Sequence, residues 1–255
     1  MADTYPVMSE AEEFYYPGNK TGVLVIHGFT GTTQSVHFLG KQLAEQGFTV
    51  FGPRLAGHGT DPEDMEGSTY QEWIQTVERG LEKLQATCEE VFVTGLSMGG
   101  TLTLYLAAEH PEIKGIMPIN AATHMPDMIE NYEALKNTGT RFVEGIGSDI
   151  KQEGIEELAY QETPVKSMKE GIDLFEMVRG KLAEVNTPAM IFSSAVDHVV
   201  PPENSREIYE SISSDVREFV MLENSYHVAT LDNDKELIAE KCIAFIKEIQ
   251  RANDF

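Results

Sequence analysis

Residues 91–110 read VFVTGLSMGGTLTLYLAAEH. Val91 to Thr94 suit a buried strand, Gly95-Leu96-Ser97-Met98-Gly99 tightens into a turn, and the remainder reads as a helix. A strand–helix turn needs a polar cap and little else. The glycines on either side suggest instead that Ser97 is held in an uncomfortable backbone geometry for a purpose. Gly-x-Ser-x-Gly arises by chance in a chain this long about one time in ten, so the pattern alone is weak. Its context is stronger: a serine on a sharp turn between a buried strand and a helix is the setting of a nucleophile elbow.

Outward from this stretch, short apolar runs alternate with amphipathic helical patterns. TGVLVIHG predicts a buried strand ending near His27, and QSVHFLGKQLAEQG a helix stopped by Gly47. TVFGPRLAGHGTDP predicts a short strand and then a Gly/Pro loop. STYQEWIQTVERGLEKLQ predicts a helix, with Thr69 and Glu72 as a capping box and Trp73, Val77, Leu81 and Leu84 on one face. IKGIMPIN, PAMIFSSAV and VREFVMLEN are further strands, and PENSREIYESI and NDKELIAEKCIAFIKEIQ further helices. From Asn120 to Thr187 the alternation breaks into short helices and loops with no convincing strand. The expected fold class is therefore α/β, a mostly parallel central sheet flanked by helices. Residues 1–121 and 188–255 form the core, and 122–187 an inserted helical cap. Open sheets of this kind place their sites beyond the carboxyl ends of the strands.

The composition excludes several classes. Forty-two Asp and Glu against nineteen Lys and Arg give a net charge of −23, which argues against nucleic acid and against anionic lipid head groups. Cys88 and Cys242 lie far apart in helical patterns. They read as buried free thiols of a reducing cytoplasm rather than a disulfide framework. The start, MADTYPVMSEAEEF, lacks the basic-then-apolar run of a signal peptide. No apolar stretch is long enough to be an integral membrane segment. No metal-ligand spacing and no phosphate-binding glycine loop occurs, so neither metal nor cofactor is expected.

A serine hydroxyl needs a base, and the base an orienting acid. Beyond the insertion the histidines are His198 and His227. His198 directly follows Asp197, and neighbours of that kind point apart. Asp197 at one strand's end with His227 after the next strand gives the order Ser, Asp, His. Asp215 and Asp232 sit in less suitable loops. The tetrahedral intermediate needs hydrogen-bond donors where charge develops. Met98 N–H, just after the serine, and Phe29 N–H, in the HGFTGTT turn, are the candidates. His27 and His58 read as turn architecture, and His37 and His110 need no role.

HGFTGT, PRLAGHGT, VFVTGLSMGGTLTLYLA, PINAA, GSD, ELAY, DHVVPP and NSYHVATLD occur in this order from near the start almost to the end. In them the sequence resembles the bacterial monoacylglycerol lipases and related thermostable carboxylesterases of the α/β-hydrolase superfamily. The match is poorest from Asp127 to Val143. The resemblance implies Ser97, Asp197 and His227 as the triad, Phe29 and Met98 as oxyanion donors, and a cap roofing an apolar acyl tunnel. It implies a small ester substrate, a monoacylglycerol by preference or otherwise the short- to medium-chain esters of a general carboxylesterase. Glu157, in the ELAY match, is the candidate for binding a glycerol hydroxyl. Dehalogenases and epoxide hydrolases of this fold carry Asp at the elbow, so Ser97 argues against them. A ligand receptor on the same fold would have no use for an intact triad.

Overall fold

In the computed structural model, which describes residues 5–253, every residue of the strand Thr21–Ile26 is buried. Val23 and Val25 belong to one apolar core and Leu24 and Ile26 to another. Successive side chains of a strand point to opposite faces. A strand buried on both faces therefore lies inside a sheet with helices on each side.

The strands, in chain order, are β1 (Phe14–Tyr16), β2 (Thr21–Ile26), β3 (Thr49–Gly52), β4 (Glu90–Leu96), β5 (Gly115–Ile119), β6 (Phe142–Glu144), β7 (Glu162–Pro164), β8 (Ala189–Ser194) and β9 (Arg217–Leu222). Seven form one sheet in the order β1-β3-β2-β4-β5-β8-β9. All its neighbours run parallel except β1, which pairs antiparallel with β3 at the edge. The helices are α1 (Gln34–Glu45), α2 (Pro62–Gly67), α3 (Tyr70–Gln85), α4 (Met98–Glu109), α5 (Pro126–Leu135), α6 (Val165–Arg179), α7 (Glu203–Ser211) and α8 (Lys235–Asn253). Leu39 and Leu43 of α1 and Phe245 and Ile246 of α8 fill the core on one face. Trp73 and Leu81 of α3, Leu102 and Leu106 of α4, and Ile208 of α7 fill the other. The chain leaves β3 on one side of β2 and returns as β4 on the other. The order therefore reverses around β2, and a crevice opens where neighbouring connections diverge.

Local signals explain most elements. Thr69 and Glu72 form the capping box of α3, whose Trp73, Val77, Leu81 and Leu84 are buried. α4 is buried on nearly every side, as its apolar sequence requires. Four elements depart from expectation. α2 stands in what reads as loop, although Asp61 caps it and Pro62 opens it. β1 adds an antiparallel edge. β6 and β7 pair antiparallel between β5 and β8, within residues 122–187 where no strand is expected. Each of these strands spans three residues, too few for an alternation to register. Cys88 lies beyond the end of α3 and is partly exposed rather than buried, whereas Cys242 is buried in α8; both thiols are free. Among the described residues, no helix is long and apolar enough to cross a membrane. Residues 1–4 of the N-terminal reading lie outside those described.

Candidate active site

Ser97 joins β4 to α4 with φ +56° and ψ −120°. A side-chain-bearing residue at positive φ costs about 1–3 kcal/mol and persists only where its surroundings over-determine it. The surroundings do so. A Cβ added to Gly95 would lie 2.3 Å from Gly99 O, and one added to Gly99 would lie 2.2 Å from Ile26 O. Only bare glycine backbone lets β4, the start of α4 and the end of β2 meet this closely. Ser97 N–H donates to Ile119 O at 2.9 Å. The hydroxyl makes no capping bond, and 8% of the residue stays exposed. Gly99→Ala is expected to destabilise the fold by about 1–3 kcal/mol through overpacking against backbone that cannot yield. That corresponds to a melting temperature lower by about 2–12 °C. A variant melting with the wild type would contradict this packing.

The loops after β8 and β9 bring Asp197 and His227 together. Asp197 Oδ2 lies 2.8 Å from His227 Nδ1. Asp197 Oδ1 accepts the N–H groups of Val199 and Val200, each at 2.8 Å, so the carboxylate is fixed by its own loop. Burial alone would push the His227 imidazole down. The charge and hydrogen bond of Asp197, followed by the charges of Glu157 and Asp149, outweigh burial and hold it above the usual histidine value. His198 points away from this pair: its Nδ1 lies 2.8 Å from Asp149 Oδ1 and its ring packs on Tyr226. Asp215 precedes β9, at the opposite end of that strand from His227. Asp232 is buried and accepts backbone N–H groups, among them Tyr226 N at 2.8 Å and Lys151 N at 2.7 Å.

The turn after β2 lies beside the serine, since a Cβ on Gly28 would be 3.3 Å from Ser97 Cβ. The Phe29 ring stands edge-on to Trp73 and His58 at 6.0 and 6.5 Å, which anchors the backbone at this point. His27 Nε2 accepts Leu55 N–H at 3.1 Å. Burial, then the neighbouring His58, push His27 down to about 3. Burial likewise pushes His58 down to about 4. Both rings therefore stay neutral and join the turn to the loop after β3. Met98 opens α4, so its N–H is among those with no partner inside the helix.

Ser97, His227, Gly28 and Phe29 line one cavity, walled by Leu96, Met125, Met128, Ile146, Phe175 and Val199. A second, more open space shares Met125, Met128, Ile146, Gly147 and Val199 with it, so the two adjoin. Glu157 also lines the inner cavity. The residue is partly exposed, but its carboxyl is turned inward: Oε1 would lie 2.6 Å from a Cβ on Gly31. Burial raises its pKa to about 7, against the lowering effects of His227 and of the nearby Ser35 hydroxyl. Flanking bonds fix the segment. Leu158 N–H donates to Gln34 Oε1 at 3.0 Å, Tyr160 N–H to Thr30 O at 3.0 Å, and Glu157 N–H to Ser148 Oγ at 2.9 Å.

Sequence reasoning gave no role to two residues that brace the histidine loop. Asn120, at φ +45°, donates to His227 O at 2.8 Å and to Ser194 Oγ at 2.9 Å. Asp149 accepts His227 N–H at 3.1 Å. Both sit in the PINAA and GSD stretches, so the motifs were visible, but their partners are distant in sequence.

A doubly covered sheet, a strained serine at its switch point and a paired Asp and His beside the same cavity define a hydrolase-type site. The model of the family described as Serine aminopeptidase, S33 (Hydrolase_4) matches residues 18–234. The chain belongs to this family and is a serine hydrolase of α/β-hydrolase fold. It is 48% identical over 249 residues to a thermostable monoacylglycerol lipase of Bacillus sp. (strain H-257), covering 96% of this chain and 98% of that protein. It is 30% identical over 237 residues to a carboxylesterase of Bacillus subtilis (strain 168), covering 92% and 96% respectively. A solved chain described with the metagenome-derived lipolytic enzymes LipS and LipT superposes with a TM-score of 0.92 at 48% identity, over 95% of this chain and all of the other.

Proposed function

We propose that this protein cleaves monoacylglycerols to fatty acid and glycerol through an acyl-enzyme on Ser97. The carrying observation is the cavity in which Ser97, His227 and the Glu157 carboxyl meet a mostly apolar wall. Ser97 Oγ attacks the ester carbonyl while His227 Nε2 takes its proton. The carbonyl oxygen, now negative, is held by Phe29 and Met98 N–H. Asp197 keeps Nδ1 protonated and stabilises the imidazolium. The imidazolium gives its proton to the departing glycerol oxygen. Water, activated by the same nitrogen, then releases the acid and restores the serine.

Residues 122–187 act as the cap, and their Met125, Met128 and Ile146 receive the acyl chain. Glu157 binds the glycerol hydroxyls. With a pKa of about 7 its carboxyl has both protonation states within reach near neutrality, so it can donate to one hydroxyl or accept from another. The 48% identity to a monoacylglycerol lipase over nearly the whole chain supports this substrate. A cytoplasmic location fits the acidic, cysteine-poor sequence.

Purified enzyme is to be assayed on mono-, di- and triacylglycerols, short aryl esters and aminoacyl aryl amides. Medium- and long-chain monoacylglycerols are expected to turn over, diacylglycerols slightly and triacylglycerols almost not at all, because a second chain would fall where the carboxyl sits. Glu157→Ala should lower kcat/KM for monoacylglycerols by about tenfold, with a smaller effect on aryl esters that carry no hydroxyls to match it. Equal turnover of mono- and triacylglycerols would remove the lipid assignment. The remaining reading would be a general carboxylesterase, which the full-length Bacillus subtilis relative supports.

A further inference from the structure

His227 stands five residues beyond the end of β9 and Asp197 three beyond the end of β8. The sheet registers Ser194 against Leu222, and past that point no ladder holds the two loops together. Their alignment rests on side chains. From below, Ser194 Oγ donates to Tyr226 O at 2.8 Å and Asn120 Nδ2 to His227 O at 2.8 Å. From the other side the brace comes from the inserted segment.

Asp149 Oδ2 accepts the backbone N–H of His227 at 3.1 Å and that of His198 at 3.1 Å. His198 is the residue after Asp197, so one carboxylate oxygen joins the loop of the acid to the base itself. Asp149 Oδ1 faces the His198 ring at 2.8 Å, and Asp149 O accepts Val228 N–H at 3.1 Å. The carboxylate is mostly buried, with 14% of the side chain exposed. Two backbone donors converging on one charged oxygen form charge-assisted bonds, stronger than neutral ones. Asp232 ties the same segment at its next residues, taking Lys151 N–H and Gln152 N–H.

We propose that Asp149 is a positioning residue: supplied by the inserted segment, it clamps the Asp197 and His227 loops in register and places a second negative charge behind the imidazolium. The inference rests on the reading of Asp197 and His227 as acid and base. The groups facing the imidazole are carboxylates from separate parts of the chain. Asp197 comes from the loop after β8, and Asp149 and Glu157 from the insertion. The group facing Asp149 is His198, while the Lys151 ammonium lies over the Tyr226 ring at 5.8 Å. Asp149 thus lets the placement of the insertion set both the geometry and the basicity of His227.

Asp149→Asn and Asp149→Ala separate the two effects. Asparagine retains an oxygen that can accept both N–H groups but carries no charge. Alanine loses both. With a soluble aryl ester, Asp149→Ala should lower kcat by about 10–100-fold, as small misplacements of catalytic groups do, with KM within about twofold. Asp149→Asn should recover at least about tenfold of that loss. In both, the rising limb of kcat/KM against pH should move to lower pH by on the order of half a unit, because the imidazolium has lost a stabilising charge. A merely structural aspartate would not move that limb. If Asp149→Ala does not fold, the pH limb of Asp149→Asn decides alone. A limb superimposed on the wild type, or wild-type kcat in the alanine variant, overturns the proposal. Ser97→Ala runs alongside: residual activity there would bring down the serine-hydrolase reading and this inference together, whereas an inactive Ser97→Ala with an unshifted Asp149→Asn limb defeats this inference alone.

Discussion

Ser97→Ala is expected to lower ester kcat/KM by on the order of 10⁴–10⁶-fold while leaving the melting temperature nearly unchanged. The two halves of this expectation have different physical origins. Alanine meets the same constraint at φ +56° that serine does, and the hydroxyl it removes makes no capping bond. The contacts that force the turn belong to Gly95 and Gly99, which the substitution leaves alone. Folding should therefore not register the change. Catalysis should register it in full, because on the proposed reading the Ser97 hydroxyl is the group that forms the acyl-enzyme. A fluorophosphonate should add its mass to wild-type enzyme and not to Ser97→Ala. Activity within about tenfold of wild type would mean that another group carries the acyl chain and that the strain at Ser97 serves something else.

The elbow was legible because its signals are local: a buried strand, two glycines that bare backbone contacts demand, and a helix, all within twenty residues. The same holds for the sheet, whose strands are long enough for both-face burial to leave continuous apolar runs. β6 and β7 escaped because three-residue strands show no period, and their pairing is decided by the fold around them. The site was legible by type and order, not by geometry. Asp197 and His227 could be ranked from their positions after strands, yet nothing in the sequence says that Asp149, 78 residues before His227, accepts its N–H. Long-range hydrogen bonds between loops have no periodic trace. Glu157 shows the same limit. Its sequence neighbourhood reads as a solvated helix or loop, and its inward turn depends on Gly31 leaving space and on Gln34 and Thr30 holding the flanking backbone.

Asp197→Asn and Asp232→Asn should fail in opposite ways, and the contrast tests which carboxylate serves the base. Asp197 gives one oxygen to Val199 and Val200 N–H and the other to His227 Nδ1. Asparagine can keep the first oxygen in place, so the loop should hold and melting should change little. Its amide nitrogen then faces Nδ1 and donates to it. That bond selects the tautomer whose Nε2 already carries the proton, and such an imidazole cannot take one from Ser97. A loss of about 10⁴-fold in kcat follows, with KM little altered. Asp232 holds backbone rather than the proposed base. Its two oxygens accept four backbone N–H groups, those of Lys151, Gln152, Tyr226 and Asn233, at 2.7 to 3.0 Å. Asparagine keeps only one acceptor oxygen and turns an NH₂ toward donors that cannot accept it. Hydrogen bonds to charged groups contribute about 1.5–3 kcal/mol each, so losing two of them should lower the melting temperature by on the order of 10 °C. The folded fraction should still hydrolyse ester with kcat reduced far less than in Asp197→Asn. The folded fraction of each variant, read from its circular-dichroism melting curve, normalises kcat to folded enzyme in both. Were Asp232→Asn the slower of the two per folded molecule, the acid would have to be sought at the end of the loop after β9 rather than after β8.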